Sequence, residues 1–235
     1  LTGEQFKVLS VKKTYREKKA PLPFTTSTLQ QEAFKALNFS TSKTMRVAQQ
    51  LYEGVDIKGA GTVGLITYLR TDSVRVSDEA KNMAHDFISE NYGDDFLREG
   101  PGKTSAASRI QDAHEAIRPA DLTRLPSNVK DSLTREQFRL YQLIWRRFMA
   151  SRMSNAKYET TTAKIQAGEY IFSTAASHRI FDGFMLVYTD AEEEKEEKKS
   201  PVYSLEEGQV LEFDSFDEKQ HFTQPPAHYT EASLV

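Results

Sequence analysis

Gly64-Leu65-Ile66-Thr67-Tyr68-Leu69-Arg70-Thr71-Asp72-Ser73 is the stretch on which the reading of this chain turns. It opens as a short apolar run rich in β-branched and aromatic residues, which predicts a buried strand running into a polar turn. In an extended backbone the side chains alternate, so Tyr68, Arg70 and Asp72 share one face and Leu65, Thr67 and Leu69 the other. A phenol beside a guanidinium and a carboxylate suits an anionic visitor. A tyrosine hydroxyl, with an ordinary pKa near 10, needs a neighbouring base, cation or metal before it attacks at neutral pH. An arginine nearby can grip a phosphate with two parallel hydrogen bonds and stabilise charge growing on its oxygens. Spacing alone fits equally a half-buried tyrosine next to a surface Arg–Asp pair.

Outward from this stretch, elements can be read by period and cap. Residues 4–15 alternate, with Phe6, Val8 and Val11 apolar among Gln5, Lys7 and Lys12, as in a strand with one wet face. Six basic residues face two acidic ones between 1 and 24, which fits an edge strand blunted by lysines. Pro21 and Pro23 break the pattern. Ser27-x-x-Gln30 and Thr28-x-x-Gln31 each read as a capping box, with Leu29, Ala33 and Leu37 following at helical spacing. A second helix is expected from Ser42 to Glu53, with Met45, Ala48, Leu51 and Tyr52 inward and Gly54 ending it. A third starts at Ser77, with Asp78 and Glu79 in its positive first turn, and stops at Gly93. Residues 94–110 read as a polar loop.

Thr134-x-x-Gln137 caps a long helix to about Met153, with Phe138, Tyr141, Trp145, Phe148 and Met149 as its apolar stripe. Arg135, Arg139 and Arg146 fall within about 40° of one another on its wheel. Between 134 and 157 six basic residues face one acidic residue. That face reads either as a surface that tracks a nucleic-acid backbone or as a solvated arginine face. From Tyr158 the period becomes two, with a hairpin turn at Gly168-Glu169 and strands at Tyr170–Ala175, Ile180–Tyr188 and Gln209–Phe216. Asp190–Lys199, six acids and three lysines, reads as a solvated loop.

Composition sets the bounds. The 235 residues carry a net charge of −3, no cysteine and a mean hydropathy of −0.59. Length suits one large or two modest domains. No apolar run approaches a membrane span, and no signal-peptide pattern is present. Without cysteine there is neither a disulfide nor a thiolate zinc site, which fits a reducing cytoplasm. The slightly acidic balance argues against coating duplex DNA through bulk charge. The chain begins with Leu1 and stops at a helix-like start, Thr230 to Val235, and is expected to be part of a longer protein.

The decapeptide at Tyr68 resembles the active-site signature of type IA DNA topoisomerases, in the form met in bacterial topoisomerase I. Leu69, where other branches read proline, favours that branch. Pro23–Gln30, Ala48–Glu53, Gln111-Asp112-Ala113-His114-Glu115-Ala116-Ile117-Arg118-Pro119 and Gln220–Pro226 resemble the same family in the same order. The arginine usual after Pro-Pro-x in that family is His228 here, so a phosphate contact from that position is not expected. The resemblance implies an α+β multidomain fold. A β arch is built from 1–24 and 157–220, with a mainly helical domain of 25–156 inserted and the start of a further helical domain at 221–235.

It also implies a function: relaxing negatively supercoiled DNA without ATP, through a transient 5′-phosphotyrosyl bond, strand passage and religation. Tyr68 is then the nucleophile, Arg70 the phosphate clamp and His114 an auxiliary contact that donates to phosphate or shares a proton with Asp112 or Glu115. A histidine's ordinary pKa near 6.5 allows either. The candidate DNA-contacting set is Arg70, Asp72, His114, Arg118, Arg135, Arg139 and Arg146, with Arg118 reaching DNA or pairing with a carboxylate. Mg²⁺ belongs to the full-length enzyme, with ligands outside this chain, and no metal or Walker A site is read within it. The expected partners are single-stranded or underwound DNA and an N-terminal domain of the same polypeptide; the expected state is a cytoplasmic monomer, unable to relax DNA as this piece alone. A tyrosine recombinase or type IB arrangement places His-x-x-Arg before its tyrosine. Here Tyr68 comes first and the spacing is His114-x-x-x-Arg118. The remaining rival is a module that only grips single strands through the arginine helix and stacking aromatics.

Overall fold

Fold and topology were analysed on a computed structural model, which describes residues 3–98, 114–189, 200–215 and 217–235. The acidic stretch 190–199, most of the expected polar loop and Gln111, Asp112 and Ala113 lie outside the described residues. The chain divides into two compact units: Leu1–Lys18, Ala156–Asp182 and Ala191–Ala227 form one; Lys19–Asn155, Gly183–Asp190 and His228–Val235 form the other.

The first unit is an antiparallel sheet. β1 (Phe6–Lys18) pairs with β4 (Ala156–Ala167), β4 with β5 (Tyr170–Phe181), and β6 (Val210–Leu211) covers only Phe6 and Lys7 of β1. The order is β5-β4-β1-β6. Gly168 turns the β4–β5 hairpin at φ +58°, a conformation that glycine takes without penalty. The Phe6 ring packs between those of Phe172 and Phe213, at 6.1 and 5.7 Å. β5 is continuous from Tyr170 to Phe181, longer than the pattern predicted. Of the expected strand Ile180–Tyr188 only Ile180 and Phe181 are extended, as the end of β5, and a short 3₁₀ turn at Gly183–Leu186 follows; of Gln209–Phe216 the described residues keep only β6.

The second unit is helical. It holds α1 (Thr26–Leu37), α2 (Thr41–Glu53), a two-stranded ribbon of β2 (Val55–Ile57) and β3 (Gly61–Val63), α3 (Asp78–Tyr92), a short α4 (Pro126–Val129), α5 (Arg135–Arg152) and α6 (Glu231–Leu234). α5 is its axis: Leu140, Tyr141, Ile144, Phe148 and Met149 are buried, against Leu29 and Ala33 of α1, Val47, Ala48 and Leu51 of α2 and Ala84 and Ile88 of α3. The Thr134–Gln137 capping box forms as read. For α1 the cap lies earlier than expected: Thr25, not Ser27 or Thr28, is N-cap and closes its box with Thr28. α2 buries Thr44 and Val47 along with Ala48 and Leu51, and leaves Tyr52 on the surface instead of inside.

Candidate active site

Residues 64–73 do not form the expected strand. One bridge, Ile66 to Pro119, is the sum of their ladder pairing. Several of their backbone groups pair singly with loops and with the end of α2 instead, as a segment outside a ladder must. Leu65 N–H donates to the Leu51 carbonyl at 2.8 Å, and Ala120 N–H to the Leu65 carbonyl at 2.9 Å. Thr67 N–H donates to the Arg118 carbonyl at 2.9 Å, and Thr26 N–H to the Thr71 carbonyl at 2.8 Å. The alternation survives without the strand. Leu65, Leu69, Thr71 and Ser73 are buried, while Tyr68, Arg70 and Asp72 all point outward.

Two threonine hydroxyls fasten this segment. Thr26, the first residue of α1, donates to the Leu69 carbonyl at 2.8 Å and accepts from Thr71 N–H at 2.8 Å. The need for Thr26 at that joint explains why Thr25 takes the cap. Thr67 donates to the Ala116 carbonyl at 2.8 Å and accepts from Arg118 N–H at 2.9 Å. Ala116 N–H in turn donates to Arg75, and Ile117 N–H to Phe24. The hydroxyl of Thr67 thereby fixes the segment bearing Tyr68 beside the segment bearing His114, almost fifty residues on.

The outcome is a row of three rings. Tyr68 stacks on His114, with centroids 5.7 Å apart and planes 29° apart. Tyr52 also meets Tyr68, in an edge arrangement at 5.5 Å and 69°. Tyr68 is 40% exposed and Tyr52 39%, so the row lies open at the surface. Gly64 permits this arrangement, because a Cβ there would sit 2.8 Å from the Tyr52 carbonyl oxygen. Helical spacing assigned Tyr52 to the core. Its place at the last turn of α2, with Gly54 and Gly64 allowing close backbone approach, was the signal that pointed the other way.

The remaining candidate residues separate by surroundings. Arg70 and Asp72 are exposed, and neither has a hydrogen bond or ion pair among the described residues. Arg118 is occupied: its Nε and Nη2 donate to Glu115 at 2.9 and 2.7 Å and its Nη1 to the Pro119 carbonyl at 2.9 Å. That pair also takes up Glu115, one of the two carboxylates considered for His114. On α5, Arg135 and Arg146 are exposed, whereas Arg139 lies over the Phe39 ring at 5.6 Å. Among the described residues no three His, Asp or Glu side chains come together in a way that could hold a metal ion. None of the helices described is long and apolar enough to cross a membrane.

A family model described as DNA topoisomerase matches residues 1–235. Among solved structures, full-length topoisomerase I from Thermotoga maritima is similar to this chain with a TM-score of 0.73 and 39% sequence identity, over 88% of this chain and 32% of that one. The chain therefore spans about a third of the length of the solved protein it matches.

Proposed function

The chain belongs to the DNA topoisomerase family, in its bacterial type IA branch, and on that premise we propose that it carries the nucleophile of an enzyme that relaxes negatively supercoiled DNA. The observation that carries the reading is the exposed Tyr68 ring against His114, with Arg70 outward and unpaired among the described residues two positions on. In this reading the Tyr68 oxygen attacks a backbone phosphorus. An O–P bond forms to tyrosine, the bond from phosphorus to the 3′-oxygen breaks, and the tyrosine proton ends on that departing oxygen. The 5′ end is left on Tyr68 as a phosphotyrosyl ester and the other end as a free 3′-hydroxyl. The ester keeps the free energy of the original linkage, so the hydroxyl can attack back without ATP once the other strand has passed.

Arg70 has the freedom to grip the phosphate with two parallel N–H···O bonds and to stabilise charge on its oxygens. Asp72, exposed like Arg70, would serve to orient that guanidinium. A histidine nitrogen at the face of the tyrosine suits a contact to phosphate or the handling of the tyrosine proton. The Mg²⁺ that the resemblance implies finds no seat among the described residues. Unpaired bases are the suited substrate, since an exposed ring such as Tyr52 offers them a stacking surface. The reading requires one copy of the chain, because Tyr68, Arg70 and His114 all come from it, and it assigns the protein to the cytoplasm, where DNA is.

The test is Tyr68→Phe in the full polypeptide that carries this chain, a change of one oxygen atom. Relaxation of negatively supercoiled plasmid and the covalent adduct should both vanish, while single-strand binding stays within about twofold. Cleavage that survives the substitution refutes Tyr68 as the nucleophile, and binding without cleavage in the unchanged polypeptide leaves the binding-module reading in its place.

A further inference from the structure

At the far end of α5 a second cluster of cations has no counterpart among the assignments above. Residues 96–98 run antiparallel to residues 152–154: Leu97 bridges Met153, Ser154 N–H donates to the Phe96 carbonyl at 2.8 Å and Arg98 N–H to the Arg152 carbonyl at 3.3 Å. This pairing lays Arg98 alongside Arg152. Both guanidiniums then converge on one acceptor. Arg98 Nη1 and Arg152 Nε each donate to the Ser151 carbonyl at 3.1 Å.

Like charges held this close repel, and the repulsion grows as water is withdrawn. Burial first, and the neighbouring Arg98 charge second, push Arg152 below its ordinary value. No carboxylate pairs with either guanidinium among the described residues, and their other N–H groups have no acceptor there. The blander account is a helix C-terminus dressed by two arginines, because the last carbonyls of α5 attract cations. That account uses one N–H from each fork of five donors and leaves the rest without a role. Both side chains are only partly buried, so the free donors remain open to a visitor.

We propose that Arg98 and Arg152 together form a phosphate site, and that the phosphate is one of a single-stranded nucleic-acid backbone. A phosphodiester brings the negative charge that the pair lacks among the described residues and several acceptor oxygens for two planar forks. The site lies at the C-terminal end of α5, a helix that exposes Arg135 and Arg146 elsewhere along its length. The choice of a nucleic-acid phosphate over a free one rests on the proposed function.

The experiment measures anisotropy of a labelled single-stranded oligonucleotide against this chain between about 50 and 200 mM salt. Unchanged protein is compared with the double variant Arg98→Gln/Arg152→Gln and with Arg98→Lys/Arg152→Lys, and the melting temperature of each is recorded. Loss of one phosphate contact should flatten the slope of log K against log salt by about 0.7 to 1, equally for different sequences. The lysine pair should keep most of the slope. A glutamine pair that melts lower but keeps the full slope overturns the proposal and leaves a helix cap. If no oligonucleotide binds while inorganic phosphate raises the melting temperature of unchanged protein alone, the nucleic-acid source is refuted. Because none of these readouts needs cleavage, a slope change in this chain together with no adduct at Tyr68 in the full polypeptide would sink the nucleophile assignment and spare this site.

Discussion

Replacing Thr67 by valine tests whether one hydroxyl aligns the two halves of the site. Valine keeps the shape and branching of threonine and removes a single polar atom. Two bonds are lost: the donation to the Ala116 carbonyl at 2.8 Å and the acceptance from Arg118 N–H at 2.9 Å. Ala116 is fully buried, so its carbonyl has no ready replacement from solvent. Leaving a buried polar group without a partner costs about 1–3 kcal/mol. With two groups affected and one of them half-exposed, a loss of about 2–4 kcal/mol follows. For a unit of this size each kcal/mol lowers the melting temperature by about 2–4 °C, which gives a fall of about 4–16 °C. Circular dichroism melts of unchanged protein, Thr67→Val and Thr67→Ser measure it, and serine, which keeps the oxygen, should recover most of the loss. In the full polypeptide, Thr67→Val should also slow cleavage by about tenfold, because the segment bearing His114 is no longer pinned beside Tyr68. A melting temperature within about 1 °C of the unchanged protein would refute the argument that this hydroxyl is the fastening.

Two further outcomes are expected. Tyr52→Ala should lower the cleavage rate in the full polypeptide by about tenfold and weaken oligonucleotide binding, through loss of the ring that borders Tyr68 and offers bases a stacking surface, and Tyr52→Phe should restore both; equal effects of Ala and Phe in a cleavage time course would contradict this role of the ring. Burial pushes the phenols of Tyr141 and Tyr188 well above their ordinary value, and Tyr141 donates to the Arg124 carbonyl at 2.7 Å. The unfolded chain therefore releases these protons first as pH rises past about 10, so stability is intact below that pH and declines above it. Melts from pH 8 to 11 should show this decline, and it should be shallower in Tyr141→Phe.

Much of this architecture can be read from residue order, and the failures have identifiable causes. The Thr134–Gln137 box, the Ser77 cap and the Gly93 stop follow from local chemistry that a helix end needs wherever it lies. The start of α1 did not, because Ser27 and Thr28 also sit three residues before glutamines. What decides for Thr25 is the demand of a distant segment on Thr26, which no local pattern reports. The apolar run before Tyr68 reads as a strand since the buried and exposed residues do alternate. Its partners are the carbonyls of Leu51 and Arg118 and the N–H groups of Ala120 and Thr26, on three separate segments, so the alternation comes without a ladder. Ile180–Tyr188 fails as a strand at Gly183, which turns at φ +50° where a Cβ would lie 2.4 Å from the Asn155 carbonyl oxygen.

For the site itself, motif order brought Tyr68 and His114 to attention, and the structure sets their rings against each other. Arg118 was open between DNA and a carboxylate, and its guanidinium lies on Glu115. Tyr52 was missed because period assigns a residue to a helical face without knowing that the face ends where another segment departs.

The most direct measurement joins chemistry to a residue number. The full polypeptide is incubated with 5′-labelled single-stranded DNA and Mg²⁺, denatured, and digested with nuclease and trypsin. Mass spectrometry then examines the peptide from Gly59 to Arg70. The account predicts a nucleotide attached through phosphate to Tyr68, and none in Tyr68→Phe. DNA that is bound but yields no adduct, or an adduct on another residue, would contradict it.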